Sequence, residues 1–349
     1  MKVAIITSNR SVSLKKVAKD IELVARNEFG METVFMEYPR YEPSEIKTLS
    51  GAVTVMTFDP IWVTPFTWFC RELRLEGVKC VFYTTVEGNI KKVPSVEWMF
   101  RDLDYVANSN YTASKMRLAG ARVVDVVYHG INIDEAQAFS WMREEVRAKL
   151  GVSNNEFLVG YVAAGYRRKG HRLFANVAKE VSKSDPSIRV AVITDDKGAQ
   201  SYSDVQDAIV VPEFGKLGKH IIYGFYHAVD AYVQASLAEG FGLPVLEALA
   251  CGKLVVHPDY EPLSEITTSE TSIRVPVVSV DYTTEMGSIE YELHIYNPSD
   301  MVKAILDAKR IVSEKREEIA KKAVERAKKF NFVEQYSKLL NNLLRSQSL

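Results

Sequence analysis

The strongest constraint on the fold is a repeated alternation of short apolar runs with segments of helical periodicity. Val3–Thr7 is an apolar run of strand length, and helical spacing follows it, with Ser11 or Ser13 available as the N-cap. A second series of the same kind begins at Phe157–Val162. Repeated strand–helix units require right-handed crossovers and a parallel sheet that is covered on both faces. The sequence therefore predicts an α/β protein with two Rossmann-like domains.

The length supports this division, because 349 residues exceed what one ordinary hydrophobic core serves. A polar helical stretch that ends at Gly151 is interpreted as a linker, which gives domains at 1–150 and 151–330 and a final helix at 331–349. The segment 277–296 fits neither periodicity and is predicted to be a loop insertion or a small hairpin. Ligands bind beyond the carboxyl ends of such strands, so we expect two facing domains with a cleft between them.

Composition excludes several classes of protein. The net charge of −1 argues against nucleic-acid binding, which needs a basic surplus. There is no apolar run near the ~20 residues of a membrane span, and the N-terminus does not resemble a signal peptide. Cys70, Cys80 and Cys251 form no CxxC pair and are interpreted as buried free thiols of a cytoplasmic protein. Peripheral membrane contact and the oligomeric state are left open.

A glycine-containing turn connects a predicted strand ending near Ala235 to a helix that we expect to begin at about Pro244. Proline suits the first helical turn, where its missing N–H costs no hydrogen bond. The amides around Gly242, Leu243 and Val245 are then predicted to be free at the positive end of the helix dipole, where a phosphate binds readily.

Two carboxylates, Glu239 and Glu247, lie on either side of this turn. They would repel a phosphate but are suited to accept hydrogen bonds from hydroxyl groups on either side of it, as a nucleotide sugar provides. Taken singly, each feature has an ordinary alternative. A glutamate near a helix start complements the dipole, and a glycine turn can be only a tight connection.

The complete segment resembles the signature of the retaining GT-B glycosyltransferases of family four, a glutamate followed after seven residues by a second glutamate within EGFGLPxLEAxAxG. The resemblance implies that Glu239 contacts the hydroxyls of the donor sugar and that Glu247 contacts those of the ribose. It further implies that backbone amides contact the sugar and the distal phosphate, at Gly240, Phe241, Gly242 and Leu243.

Residues 161–170 resemble the family element whose basic side chains bind the diphosphate, and Arg168 and Lys169 match it. The family has a further arginine near the position of Ala163, for which Arg167 is a candidate substitute. The alternative is a solvated basic helix start, although cations are unfavourable at a helix N-terminus, which favours a ligand role.

In the first domain, residues 127–134 resemble the family loop that closes this domain against the cleft, and His129 is the best catalytic histidine there. The alternative for His129 is a structural role. The loop after the first strand, residues 7–11, lacks the glycines that are common in the family. Glu87 ends a later strand and is a candidate contact to the donor sugar or the acceptor, or a loop residue. The last helix resembles the one that crosses back onto the first domain.

No metal or cofactor is predicted. Asp102-Leu103-Asp104 has the DxD form that binds a divalent cation in the other glycosyltransferase fold, but here it is interpreted as a turn. The remaining histidines lack the spacing of zinc ligands. The nucleotide sugar is a substrate rather than a cofactor.

Together these features predict metal-independent transfer of a sugar from a UDP or GDP donor to an unknown glycan, lipid, protein or small-molecule acceptor. The family resemblance implies that the transfer retains the anomeric configuration. The donor would bind the second domain and the acceptor the first, and the region 194–213, where the base would be read, holds no decisive side chain. Two alternatives remain. One is a catalytically silent relative that binds nucleotide sugars or acts as a scaffold. The other is a GT-B sugar-nucleotide epimerase, which should lack the two-glutamate segment.

Overall fold

The computed structural model describes residues 1–8, 11–37, 48–91, 97–285 and 287–346. These residues form two compact units, each with its own parallel sheet. The first comprises residues 1–130, 282–291 and 330–349, and the second comprises residues 131–281 and 292–329.

The first unit is built on a six-stranded sheet in which each described neighbouring pair is parallel, in the order β2-β1-β3-β4-β6-β7. Its strands are β1 (Lys2–Thr7), β2 (Glu32–Glu37), β3 (Gly51–Thr57), β4 (Lys79–Thr85), β6 (Tyr105–Ala107) and β7 (Val123–Val126), with the short β5 (Gly88–Ile90) outside this sheet. Its helices are α1 (Val12–Phe29), α2 (Pro60–Leu75), α3 (Glu97–Asp102), α4 (Asn110–Leu118) and the C-terminal α13 (Phe332–Arg345).

The second unit also has a six-stranded sheet, in the order β10-β9-β8-β11-β12-β13, and it is again parallel throughout. Its strands are β8 (Phe157–Val162), β9 (Ile188–Ile193), β10 (Ala208–Val211), β11 (Ala231–Val233), β12 (Leu254–Pro258) and β13 (Ser272–Val275). Its helices are α5 (Ile133–Gln137), α6 (Arg143–Lys149), α7 (His171–Ser184), α8 (Asp196–Ala199), α9 (Lys219–Ala228), α10 (Leu243–Ala250), α11 (Leu263–Ile266) and α12 (Pro298–Lys328). This strand order is that of a Rossmann sheet.

The segment 277–296, predicted as an insertion or a small hairpin, contains two strands, β14 (Val277–Thr283) and β15 (Ile289–Tyr296). They form a small three-stranded sheet in the order β14-β15-β5, in which β15 runs antiparallel to β5. The hairpin interpretation is therefore confirmed.

The first continuous stretch of the first unit ends at Gly130, whereas the sequence predicts a boundary near residue 150. The polar stretch from 131 to 150 is not a linker, because its side chains bind the second unit. His227 contacts the backbone oxygen of Ala136 through Nε2 at 2.9 Å, and Arg143 donates to Asp230 at 2.7 Å. Some polar side chains of this stretch make such hydrogen bonds, whereas others, such as Glu145 and Lys149, are exposed on the surface of the second unit.

The C-terminal helix belongs to the first unit, as the resemblance implied. Asn331 caps α13 by accepting the backbone N–H of Val333 at 2.9 Å, and the buried face of the helix carries Tyr336. The Tyr336 hydroxyl accepts the N–H of Gly130 at 3.1 Å.

Ser11, one of the two predicted N-caps, caps α1 by accepting the N–H of Leu14. Residues 9 and 10 of the glycine-free loop lie outside the described residues.

The second unit depends on a buried carboxylate, Asp230, at the N-terminal end of β11. It accepts hydrogen bonds from Arg143 and Arg316, each at 2.7 Å, and from Arg147 at 3.1 Å. It also accepts the N–H of Leu158, the second residue of β8, at 2.8 Å. Burial tends to raise the pKa of Asp230, but these hydrogen bonds and the arginine charges outweigh it and lower the pKa.

The prediction of three free cysteines is wrong for two of them. Cys70 on α2 and Cys80 on β4 form a disulfide, with Cα atoms 5.9 Å apart, and Cys251 is buried elsewhere. The two positions are ten residues apart in the chain, and only the packing of α2 on the sheet brings them together. The cysteines therefore give no support to a reducing compartment.

Within the residues described, we find no helix that combines the length and apolar character required to cross a membrane.

Replacing the central carboxylate should strongly destabilise the second unit. Asp230→Ala leaves Arg147 buried without its counter-charge, and we expect the free energy of unfolding to fall by about 3–5 kcal/mol. Asp307→Ala, which breaks only an exposed pair with Arg310, is the matched control and should cost less than about 1 kcal/mol. Urea denaturation of both variants measures the difference, and equal losses would contradict this role of Asp230.

Candidate functional site

The candidate site is formed by two loops that follow adjacent strands of the second sheet. One loop, residues 163–170, leaves the carboxyl end of β8, and the other, residues 234–242, leaves the carboxyl end of β11. Strand order reverses between β8 and β11, since β9 lies on one side of β8 and β11 on the other. Such a reversal opens a crevice between the two loops, and ligands of open α/β sheets bind there. The chain fold thus brings together both segments predicted to bind the donor.

Backbone hydrogen bonds hold the two loops together. The carbonyl of Arg168 accepts the N–H groups of Leu237 at 2.7 Å and of Ala238 at 3.3 Å. Gly170 makes this approach feasible, because its φ is +69° and a Cβ there would lie 2.5 Å from the carbonyl oxygen of Ala235. The position of one loop therefore determines the position of the other.

The central interaction is an ion pair between Lys169 and Glu239, with 2.6 Å between Nζ and Oε1. Their side chains are only 14% and 7% exposed, so the pair is largely removed from water. Burial alone would raise the pKa of Glu239, but the nearby charges of Lys169 and Arg168 outweigh it and lower the pKa. Glu239 is consequently ionised at neutral pH despite its burial.

A chain of buried polar side chains fixes the orientation of Glu239. Gln234 donates from Nε2 to Glu239 Oε1 at 2.7 Å and to Ser236 Oγ at 2.9 Å. The Oε1 atom of Gln234 in turn accepts the hydroxyl of Tyr232 at 2.8 Å. The hydroxyl of Tyr161 donates to the carbonyl of Lys169 on the other loop. The two charged residues are therefore held by a preorganised network rather than by flexible surface side chains.

The second glutamate of the motif, Glu247, lies on α10 and accepts the hydroxyl of Tyr226 at 2.9 Å. Gly242 precedes this helix with φ +105°, and a Cβ there would lie 2.7 Å from Leu263 Cδ2. The N–H of Val245 donates to the carbonyl of Gly242 at 2.9 Å, so the prediction that the Val245 amide is free is wrong. The first helical turn closes on its own N-cap, as helix starts commonly do.

The other predicted donor-site residues lie along the same two loops. Arg167, Arg168 and Lys169 form a 3₁₀ turn. Arg167 is exposed, whereas Arg168 is half-buried and its guanidinium lies 5.4 Å from the centre of the Tyr166 ring. Gly240 and Phe241 are buried in the turn before α10.

Two predicted site residues, His129 and Glu87, belong to the first unit. Glu87 is half-buried in the bend between β4 and β5. His129 is buried, with Nδ1 2.8 Å from the Tyr83 hydroxyl and Nε2 3.1 Å from Asn108 Nδ2. The Tyr83 hydroxyl donates its proton to the carbonyl of Val127, so Nδ1 carries the histidine proton and Nε2 accepts from Asn108.

This network identifies His129 as a neutral imidazole. Burial, with a smaller contribution from the charge of Lys16, lowers its pKa to about 3. Burial therefore favours the neutral imidazole over a proton-donating imidazolium at neutral pH in this conformation. A catalytic role for His129 stays a prediction, and the geometry favours its action as a hydrogen-bonding residue.

The 277–296 segment also contacts the loop after β11. On β15, His294 donates to the carbonyl of Leu237 from its backbone N–H at 2.8 Å and from Nδ1 at 3.1 Å. Its ring stacks on Tyr260, with centroids 4.1 Å apart. The hydroxyl of Tyr260 donates to the carbonyl of Ser236 at 2.8 Å. These contacts fix the backbone just before Glu239.

The described residues contain no cluster of three or more histidine, cysteine or acidic side chains arranged to hold an ion, and independence from metal stays a prediction. In the DxD segment, Asp104 pairs with Arg122 at 2.5 Å, and the carbonyl of Asp102 accepts a hydrogen bond from Arg74. These bonds give the segment a structural role within the first unit.

Several residues of this site were not predicted from the sequence. Gln234 directly follows a strand, and Tyr226 lies within a helix, without a motif around either. Asp195 lies in the region expected to read the base, and it accepts the N–H groups of Gly165 and Gly198, each at 2.9 Å. The sequence signal that could have identified these residues is the presence of polar residues just after strands β9 and β11, because the carboxyl ends of parallel strands line the crevice.

A family model described as "Glycosyl transferases group 1" matches residues 142–329, which is more than half of the chain and includes both loops. The chain belongs to this family. As a whole, this glycosyltransferase is similar to "Uncharacterized glycosyltransferase 335" of Sulfolobus islandicus rod-shaped virus 1. The two are 28% identical over 350 residues, covering 97% of this chain and all of the viral protein.

Solved structures confirm the GT-B fold of this glycosyltransferase. Anabaena HepE, in complex with UDP and glucose, superposes with a TM-score of 0.70 at 14% identity, covering 99% of this chain and 100% of HepE. Sucrose-phosphate synthase from Thermosynechococcus elongatus gives a TM-score of 0.69 at 15% identity, with 99% of each chain covered. At these identities the likeness concerns the fold alone.

Alanine at position 170 should disturb the junction of the two loops. Gly151→Ala is the matched control, because Gly151 has a φ of +66°, close to the +69° of Gly170, but a Cβ added there would meet no heavy atom within 4 Å. We expect Gly170→Ala to lower the free energy of unfolding by about 1–3 kcal/mol more than the control, through the clash with Ala235. Urea denaturation tests this, and indistinguishable variants would show that the loops are not tightly joined.

Proposed function

We propose that this glycosyltransferase binds a nucleotide-diphosphate sugar between the loops after β8 and β11 and transfers the sugar with retention of configuration. The observation that carries the proposal is the buried Lys169–Glu239 pair at the point where the strand order reverses. A buried ion pair is a costly way to stabilise a fold, because desolvation offsets much of its attraction. Its position at a ligand crevice favours a functional explanation.

Each charged group has a role suited to its surroundings. Lys169 and Arg168 would stabilise the negative charge that develops on the diphosphate as the glycosidic bond breaks. Glu239 would accept hydrogen bonds from the hydroxyls of the donor sugar, and Glu247, oriented by Tyr226, from those of the ribose. Arg167, which is exposed, would add a further cation at the outer end of the diphosphate.

The turn before α10 would contribute backbone donors. Pro244 has no N–H, and the N–H of Val245 is used within the helix start. Donors for the distal phosphate and the sugar would therefore come from the amides of Gly240, Phe241, Gly242 and Leu243, at the positive end of the helix dipole.

UDP is the donor nucleotide to test first, and GDP the second. The support is that HepE, which shares the fold, was solved with UDP and glucose.

In the first unit, Glu87 would contact the donor sugar or the acceptor. His129, neutral and with both ring nitrogens bonded to Tyr83 and Asn108, would fix these two side chains rather than transfer a proton as a cation.

Removing either charge of the central pair should abolish most turnover. We expect Lys169→Met and Glu239→Gln each to reduce donor turnover by roughly 10²-fold or more, because each removes charge stabilisation or hydroxyl recognition in a water-poor site. Turnover of UDP-sugar, with water as the acceptor, can be followed by ¹H NMR, which also identifies the first anomer released. An α donor should give an α product first.

Lys149→Met and Glu145→Gln are the matched controls, since they change an exposed lysine–glutamate pair with a 2.7 Å contact on α6. Their turnover should equal that of the wild type. Wild-type turnover in both site variants would refute the assignment, and a β product would refute retention. Stabilisation of the wild type by UDP without any turnover would instead identify a silent nucleotide-sugar binder.

The proposed transfer does not use a metal ion. The positive charge that a divalent cation supplies elsewhere would come here from Arg168, Lys169 and the helix amides. We therefore expect donor turnover to change less than about twofold in excess EDTA, and added Mg²⁺ or Mn²⁺ to have a similarly small effect. Loss of activity with the chelator, restored by one of these ions, would contradict this part of the proposal.

A further inference from the structure

Strand β14 is an edge strand with an unusual side-chain pattern. It lies at one end of the three-stranded sheet, and most of its residues are exposed. Val278, Val280 and Tyr282 are 61%, 41% and 56% exposed. Because side chains alternate along a strand, these three lie on the same face. The result is an apolar stripe on a strand whose outer edge has no neighbouring strand among the described residues, which is the arrangement most prone to pair with another strand.

Two other sheet edges of the protein, β7 and β2, carry charges that oppose such pairing. On β7, Lys338 donates to the carbonyl of Val126 at 2.8 Å and pairs with Asp125 at 2.9 Å, so this edge is partly covered by α13. Strand β2 begins with Glu32 and ends with Glu37. Strand β14, by contrast, has the sequence VVSVDYT, with one charged residue and neither lysine nor proline.

We infer that β14 pairs antiparallel with β14 of a second copy of this chain, across a two-fold axis at Val280. In this register Val280 lies opposite its own copy, and Val278 lies opposite Tyr282 of the partner copy. The apolar side chains of both copies then form one continuous stripe. On the other face Ser279 lies opposite Asp281, so that no two like charges meet. A two-fold interface of this kind is self-complementary.

The neighbouring registers fit less well. Opposite residues of an antiparallel pair must lie on the same face, so the axis passes through a residue rather than between two. An axis at Asp281 would place the two Asp281 carboxylates directly opposite each other, which is unfavourable. An axis at Ser279 would leave Tyr282 without an opposite residue in the strand. Val280 is therefore the centre that the sequence favours.

One strand pair is a small interface compared with the ~1,600 Å² of a typical stable complex. We therefore expect a weak dimer whose population rises with protein concentration. Its strand pairing would join two three-stranded sheets into one of six strands. The inference does not depend on the proposed function, because β14 contributes no residue to the donor loops.

Cysteine cross-linking tests the register directly. In Val280→Cys the two introduced residues would have Cα atoms about 4.5 or 5.5 Å apart, within the range of a disulfide. In the control, Val278→Cys, the two copies of the residue would be separated by four strand positions, or about 14 Å. We expect Val280→Cys to form covalent dimers on mild oxidation at least about tenfold faster than the control. Non-reducing electrophoresis measures both.

Val280→Lys provides a second test, since it places two ammonium groups on the axis and should leave the protein monomeric at concentrations where the wild type dimerises. Val124→Lys is its control, because Val124 is an exposed valine, 45% accessible, on the edge strand β7. Light scattering across a concentration series compares the three proteins. Equal cross-linking of the two cysteine variants, or a wild type that stays monomeric at the highest concentration, would overturn the inference.

Discussion

The candidate site depends on one buried electrostatic contact, the Lys169–Glu239 ion pair between the loops after β8 and β11. Glu239 stays ionised because the charges of Lys169 and Arg168 compensate for its burial. Backbone bonds from Arg168 to Leu237 and Ala238 keep the two loops in register. Neither loop could move alone without exposing or separating two charges in a water-poor environment, which would cost several kcal/mol. The ion pair that positions the site residues therefore also stabilises the two loops.

The opposite ends of the same strands are anchored by a different charged cluster. Asp230 precedes β11 and accepts the N–H of Leu158 at the start of β8, while arginines from α6 and α12 surround it. Two adjacent strands are thus tied at their N-terminal ends by Asp230 and at their carboxyl ends by the Lys169–Glu239 pair. Strands fixed at both ends hold their loops in a defined orientation, which a preorganised site requires. His294, on the 277–296 segment, and Tyr260, whose ring stacks on it, add a third support. The sequence did not reveal this role of the segment.

Much of this arrangement could be predicted because it is encoded locally. Alternating periodicity predicts the strands and helices, and the two-glutamate segment contains its own turn, helix start and acidic residues. What the sequence did not reveal depends on tertiary packing, in some cases between residues that are close along the chain. Gln234 has no local feature that marks it as a partner of Glu239, and the Cys70–Cys80 contact exists only because α2 packs beside β4. The polar stretch before residue 150 resembled a linker because its arginines find their partner, Asp230, about eighty residues later.

Binding of a donor would change the electrostatic balance of the site in a specific way. Lys169 already neutralises Glu239, so an incoming diphosphate would share the lysine with the carboxylate rather than replace it, since an ammonium group has three donors. Arg168, whose charge also lowers the pKa of Glu239, would then supply the extra positive charge that the phosphates require. In this arrangement the carboxylate stays ionised and available to sugar hydroxyls while the cations face the phosphates. Under the proposed function, the lysine would thus link recognition of the sugar to stabilisation of the leaving group.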